Sequence, residues 1–281
     1  MAKFRPTLPL DYMLRAERVA RRWLLPPAEK PSPTIELFDC NARIGPRNKR
    51  RPGEPVAAAE LVVEMARLQV MNALVRHRLA LETGPAEANR RILLETEDRQ
   101  NLVPTWSLLP EATGETGFPD EAVDAMISKG GRAVWLYPKS HNFSLRRWCA
   151  GPLLGVLEYR HVPVFLPWEE IHLEELVEAL ERHENLDVVV TNVNYRTCRL
   201  LYPLMGQHAN IHMALGAPHS LSGFVEEVVK RFGPLRLLFG SGFPDHEIGP
   251  AISYLLYADI SEEDKRLIGA GNLRSLLSGV S

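Results

Sequence analysis

Four side chains stand where this sequence could move a proton: Asp39 at the end of an apolar run, Glu169 after Leu166-Pro-Trp168, and the adjacent Asp245 and His246. His141 is a fifth candidate. A general base has to lie within hydrogen-bond reach of the water or substrate it deprotonates, and carboxylates and imidazoles are suited to that work. Around these groups come fixed cations, Arg43, Arg76, Lys139 and Arg196, interleaved with Asn41, Trp106, Tyr137, Trp168, Asn192, Asn194 and Tyr195. A guanidinium presents a planar fork that matches carboxylate or phosphate, and aromatic rings can cover a flat ligand. The pattern predicts a pocket for a small anionic molecule, aromatic or lactone-like, in which Arg43 and Asn192 face developing oxyanion charge. The competing expectation is that the arginines pair with Asp39, Glu36 or Glu169, with Arg76 and Arg196 paired at the surface. No nucleophile stands out: there is no GxSxG, and Cys40 is expected to be a buried, inert thiol.

The elements that must position these residues repeat one alternation. Apolar strands are expected over 35–39, 73–76, 102–108, 132–137, 162–166, 186–191, 210–215 and 235–240. Amphipathic helices are expected over 56–70, 86–97, 120–129, 145–159, 169–183, 196–206 and 221–232, and closing helices after Ser261. Runs such as Val188-Val-Val190 and Leu237-Leu-Phe239 are apolar without alternation, as in parallel strands covered on both sides. Eight such units predict an α/β fold, a closed (β/α)8 TIM barrel, and no GxGxxG follows the first strand to argue for an open sheet. Residues 1–33 are expected to be a helical extension over 10–25 and a Pro-rich linker, with the barrel over 34–281.

The chain has 281 residues, 45% hydrophobic and 24% charged, an ordinary globular balance of the length a barrel needs. A net charge of −2 gives no global attraction to nucleic acid or an anionic membrane. No apolar run reaches the roughly 20 residues of a membrane span, and Met1-Ala-Lys-Phe-Arg-Pro6 lacks a secretory core. Three cysteines without CxxC spacing read as free thiols in a reducing cytoplasm. The arginines of the N-terminal helix and Arg146-Arg147 could serve a partner protein.

The stretch Ile35-Glu-Leu-Phe-Asp-Cys-Asn-Ala-Arg-Ile-Gly45 resembles the opening of the amidohydrolase superfamily, in its amidohydrolase-related, decarboxylase-like branch, where the first strand ends Asp-x-His-x-His-x-Gly. Similar frames surround Val162-Pro-Val-Phe-Leu-Pro167, Asp187-Val-Val-Val-Thr-Asn192, Gly240-Ser-Gly-Phe-Pro244 and Gly271-Asn-Leu-Arg-Ser-Leu-Leu277, so the resemblance covers about residues 35–278. It implies the barrel, a tendency to form homo-oligomers, and hydrolysis or decarboxylation of a small carboxylated substrate. It also implies a metal, but the five ligand positions read Asn41, Arg43, Pro167, Asn192 and Gly242. Asn is a poor zinc ligand, Arg carries a fixed charge, and Pro and Gly offer no side-chain donor. The expectation is therefore no cofactor and either a metal-independent enzyme or a non-catalytic binding or partner subunit. His77, His141 and Asp245-His246 are the residues from which a metal site could be rebuilt. His161, His172, His183 and His208 are expected at the surface or the opposite rim.

Overall fold

The computed structural model describes residues 35–47, 49, 53–216 and 223–281. The helix expected over 10–25 and the linker before residue 34 lie outside the described residues. Residues 35–281 form one compact unit. Its strands are β1 (Phe38–Ile44), β2 (Asn72–His77), β3 (Leu102–Pro104), β4 (Trp106–Ser107), β5 (Val134–Trp135), β6 (Val164–Pro167), β7 (Val188–Thr191), β8 (Ile211–Leu215) and β9 (Leu237–Phe239). Every neighbouring pair is parallel, in the orders β1-β2-β3 and β4 through β9.

β3 and β4 share one barrel position, interrupted at Thr105. The Thr105 N–H donates to the Val75 carbonyl at 2.9 Å on one side, and the Trp106 N–H to the Ala133 carbonyl at 3.2 Å on the other. The last gap closes between β9 and β1, where the Gly242 N–H donates to the Asn41 carbonyl at 3.1 Å and the Arg43 N–H to the Phe243 carbonyl at 2.9 Å. The result is the expected (β/α)8 barrel.

Period-two alternation along the strands sorts the apolar residues into two cores. Cys40, Leu74, Trp135, Phe165, Val189, Ala214 and Leu238 point into the barrel. Val75, Val134, Val164, Val188, Val190, Met213 and Phe239 point out, against the helices. The helices are α1 (Ala58–Arg67), α2 (Leu79–Glu82), α3 (Pro85–Thr96), α4 (Pro119–Ser128), α5 (Arg147–Tyr159), α6 (Leu173–Arg182), α7 (Cys198–Gln207), α8 (Phe224–Phe232), α9 (Ile248–Leu256), α10 (Glu262–Arg266) and α11 (Asn272–Ser278). The Ser261 hydroxyl caps α10 by accepting from the Asp264 N–H at 3.0 Å. Asn272 staples α11 beneath the barrel, donating to the carbonyls of Pro234 at 2.8 Å and Leu237 at 2.7 Å.

Two expectations need correction. The first strand does not stop at Asp39 but runs to Ile44, so Asn41 and Arg43 are strand residues. Helix α9 is an addition to the expected helices. Pro250 lies in the first helical turn, where the missing N–H costs nothing.

Asp39 holds the closing seam. One carboxylate oxygen accepts from the N–H groups of Asn41 and Ser241, both at 2.9 Å, and the other accepts from the Ser241 hydroxyl. Burial raises its pKa from the usual carboxylate value, while these hydrogen bonds and Arg76 pull it back. Removing the carboxylate strands three buried donors, each costing about 1–3 kcal/mol. Asp39→Ala is expected to lower unfolding stability by roughly 3 kcal/mol in urea titrations, and a change below about 1 kcal/mol would show that the seam does not need it.

Candidate functional site

The C-terminal strand ends of the barrel gather around two arginines. Arg43 on β1 and Arg76 on β2 are direct pairing partners, so two like charges occupy opposed positions on neighbouring strands, an arrangement that is unfavourable unless compensated. The two are compensated differently. Arg43 is ion-paired with Asp245. Arg76 is buried, only 4% exposed, and among the described residues it has no carboxylate within ion-pair distance. Its Nη1 donates to Asn41 Oδ1 at 2.6 Å, and its guanidinium carbon lies 3.5 Å from the centre of the Trp135 ring. Burial lowers its pKa, and Tyr137, Glu169, Cys40 and Asp39 act against that only in part.

Three inward positions of this layer carry buried polar atoms without a partner: Arg76 Nε, Trp135 Nε1 and Thr191 Oγ1. The first two can only donate, and the hydroxyl can. These positions, on the alternate barrel strands β2, β5 and β7, therefore present donors without acceptors. Tyr137 continues the surface, stacked on Trp135 with ring centres 6.3 Å apart, its pKa raised by burial and held back by Arg76.

Above this layer sits an ionic cage. Arg43, Arg47 and Arg78 all contact Asp245, Arg78 at 3.2 Å. Glu54 adds a second carboxylate, 2.7 Å from Arg47 Nε and 3.6 Å from Arg78. Burial, and then the neighbouring Arg47, lower the Arg78 pKa to about 10. Arg47, Arg78 and Glu54 were not singled out from sequence, although Arg47 follows the first strand and Arg78 the second, where functional loops of this architecture lie.

The other expected site residues are scattered. Glu169 and Asn192 meet across the mouth, Asn192 Nδ2 donating to Glu169 Oε1 at 2.6 Å, and Lys139 Nζ donates to the Glu169 carbonyl at 3.0 Å. Beside them Glu170, which sequence reading passed over, is buried and accepts from the Ser140 N–H at 2.8 Å. His246 is exposed, its ring beside Gly242. Several expectations are corrected. Arg76 is buried, not surface-paired, because its strand position points inward. Arg43 pairs with Asp245 and not with Asp39, Glu36 or Glu169. Arg196 is exposed and folds back on Tyr195, its Nε donating to the phenol oxygen at 2.8 Å. Trp106 and Trp168 pack against the outer, helix-facing core, and Trp106 lies under Lys129. Of the histidines, His77 Nδ1 accepts from the Leu79 N–H at 3.2 Å, which makes Nε2 the donor to Glu95 of α3, also at 3.2 Å. That contact turns the ring toward the helices. His141 Nε2 donates to the Ala80 carbonyl at 2.8 Å. His183 is buried against Glu158 at 2.7 Å rather than exposed. His172 precedes α6 on the mouth side, not the opposite rim.

Among the described residues no three His, Cys, Asp or Glu side chains converge as ligands would. At Gly242, where the resemblance would place an aspartate, φ is +76°, a conformation that disfavours any side chain, and an added Cβ would meet the His246 ring at 3.1 Å.

The family model described as "Amidohydrolase" matches residues 43–278. The chain belongs to that family. No curated protein matches it. Among solved structures it resembles an uncharacterised TIM-barrel protein of Bordetella bronchiseptica, with TM-score 0.70 and 16% identity over 88% of this chain and 99% of that one. It also resembles 5-carboxyvanillate decarboxylase of Sphingomonas paucimobilis, with TM-score 0.66 and 11% identity over 87% and 99%. A third likeness is to a dihydroxybenzoic acid decarboxylase of Polaromonas, with bound manganese and the inhibitor 2-nitroresorcinol, with TM-score 0.62 and 12% identity over 87% and 97%. At these identities the structures speak for the fold.

A buried guanidinium without a carboxylate partner is a poor stabiliser, and apolar replacements of similar size are often neutral or better. Arg76→Met is expected to keep or raise the melting temperature. A loss beyond about 2 kcal/mol would mark Arg76 as part of the fold's framework instead.

Proposed function

We propose that the barrel mouth takes a small, flat, carboxylate-bearing molecule, aromatic or lactone-like, with Arg76 as its receptor and Trp135 and Tyr137 as its floor. The carrying observation is the shortage of acceptors: buried Arg76, Trp135 and Thr191 all have polar atoms left without a partner, and a carboxylate supplies what they lack. Asn41, Arg43, Lys139 and Asn192 complete the rim. The decarboxylases of similar fold act, by their names, on carboxylated aromatic compounds, which agrees with this class of ligand.

On this reading the chain is a hydrolase or decarboxylase that works without the family's metal donor set. Asp245, His246 or Glu169 serves as the base, and Arg43 and Asn192 face the developing negative charge. Asp39, committed to three donors in the seam, is the weakest of the four catalytic candidates. A second reading, a non-catalytic binding or partner subunit, is favoured by the engagement of Asp245 with three arginines and of Glu169 with Asn192. Both readings place the chain in the cytoplasm as a homo-oligomer, for which light scattering is the check.

Elemental analysis of protein purified without chelators is expected to find substoichiometric zinc, manganese and iron. One ion per chain would overturn the metal-free part of the reading. Screening carboxylates for binding and turnover, then substituting Asp245→Asn, His246→Ala and Glu169→Gln, separates the two classes. An enzyme should lose about 100-fold or more in turnover at one of these positions with its fold intact, whereas binding without any turnover selects the second reading. No carboxylate bound at millimolar concentration would sink both.

A further inference from the structure

We infer that the arginine cage at the rim is a second oxyanion subsite, occupied here by Asp245 as an internal stand-in, so that the molecule taken by the barrel carries two anionic groups. This rests on the reading of Arg76 as a carboxylate receptor and extends it.

Charge is the first argument. Among the described residues three guanidiniums, of Arg43, Arg47 and Arg78, lie within ion-pair distance of two carboxylates, of Asp245 and Glu54, and Glu82 acts on Arg78 from farther off. Arg76 adds a further guanidinium just below. Donor capacity is the second: the Nε groups of Arg43 and Arg78 are buried without partners, so the two carboxylates do not use up the forks presented to them. An oxyanion with its own set of lone pairs can accept from both.

The third argument is which carboxylate can yield. The Glu54 side chain is 5% exposed and fixed to Arg47 Nε, whereas the Asp245 side chain is 24% exposed and hangs from the loop after β9. Exchange of Asp245 for an incoming carboxylate or phosphate keeps the arginines compensated throughout, so no guanidinium is stripped of its counter-charge. The fourth is proximity. Arg43 pairs directly with Arg76 across β1 and β2, and neighbouring strands lie about 4.8 Å apart. Cage and receptor are thus within reach of one small molecule. Displacement also frees Asp245 at the mouth, which reconciles its caging with a role as base.

The test is calorimetric titration of the full chain with benzoate, isophthalate and 3-phosphonobenzoate. One of the two dianions is expected to bind at least about tenfold tighter than benzoate, a difference of about 1.4 kcal/mol, and which of them gains more identifies the rim group as carboxylate or phosphate-like. Asp245→Asn, which removes the internal competitor, should tighten the dianions several-fold more than it tightens benzoate. Arg47→Ala, at a half-buried position that the fold tolerates more readily than Arg78→Ala, should erase the dianion advantage and spare benzoate. Equal affinity for all three compounds, in the wild type and in Asp245→Asn alike, overturns the subsite while leaving the Arg76 receptor standing. If benzoate fails to bind, it is the receptor that fails. The rim is then judged with inorganic phosphate in Arg76→Met: binding strengthened by Asp245→Asn sustains it, and no binding overturns it.

Discussion

The barrel depends on one buried carboxylate. Strands of a closed barrel cannot end independently, because the last must meet the first in register. Here that junction runs through Asp39, which takes hydrogen bonds from the strand leaving it and from the strand returning to it. The pairing of β1 with β2 shifts register between Asp39 and Ala42, and this irregularity lets the Asn41 N–H turn back to the Asp39 side chain. Gly240 is required on the opposite side of the seam, since a Cβ there would lie 2.9 Å from the Cys40 sulfur and 3.1 Å from Asn41 Cβ. Asp39 thus serves the functional face indirectly, by fixing where Asn41 and Arg43 emerge.

Once β1 is fixed, the pairing of Arg43 with Arg76 follows from parallel register, and with it the electrostatic problem of the mouth. The structure solves half of it internally. Asp245 and Glu54 pair with the outer arginines, while the inner one has Asn41 and the face of Trp135. A ring face stabilises a desolvated cation by about 2 kcal/mol and an amide oxygen by somewhat less, well short of a full counter-ion. The imbalance is concentrated where ligands of this architecture bind, and that location gives it meaning beyond a general excess of arginine.

Much of the fold was legible because parallel strands are apolar on both faces and their runs stand out, as in Val188–Thr191 and Leu237–Phe239. The first strand was read too short for the complementary reason: beyond Cys40 its inward residues, Asn41 and Arg43, are polar, since they face the mouth. Candidate residues were legible by type and by strand end, but not by direction. Trp106 and Ser107 differ by one position, yet the first packs outward and the second lies on the inner side near Tyr137. The break at Thr105 hides that parity in the sequence. His77 was misjudged in the same way, because Glu95, eighteen residues later, claims its ring. The cage was hardest to foresee, since Arg47, Glu54, Arg78 and Asp245 come from three separate loops and only the closed barrel brings them together.

The arginines also bear on what divergence in this family can preserve. A metal ion and a guanidinium both attract a carboxylate, but only the metal brings the pKa of bound water from about 15.7 to near 7. On the proposed reading, Asn41 and Arg43 in place of histidines keep the recognition of an anion and give up the means of making hydroxide. At Gly242 the change reaches the backbone, because φ of +76° disfavours a return to aspartate by one substitution. A chain altered in this way can retain its class of ligand while its chemistry passes to whatever side-chain base stands nearby. On the proposed reading Asp245, three residues beyond Gly242, takes it over once an incoming anion releases it from the arginines that hold it.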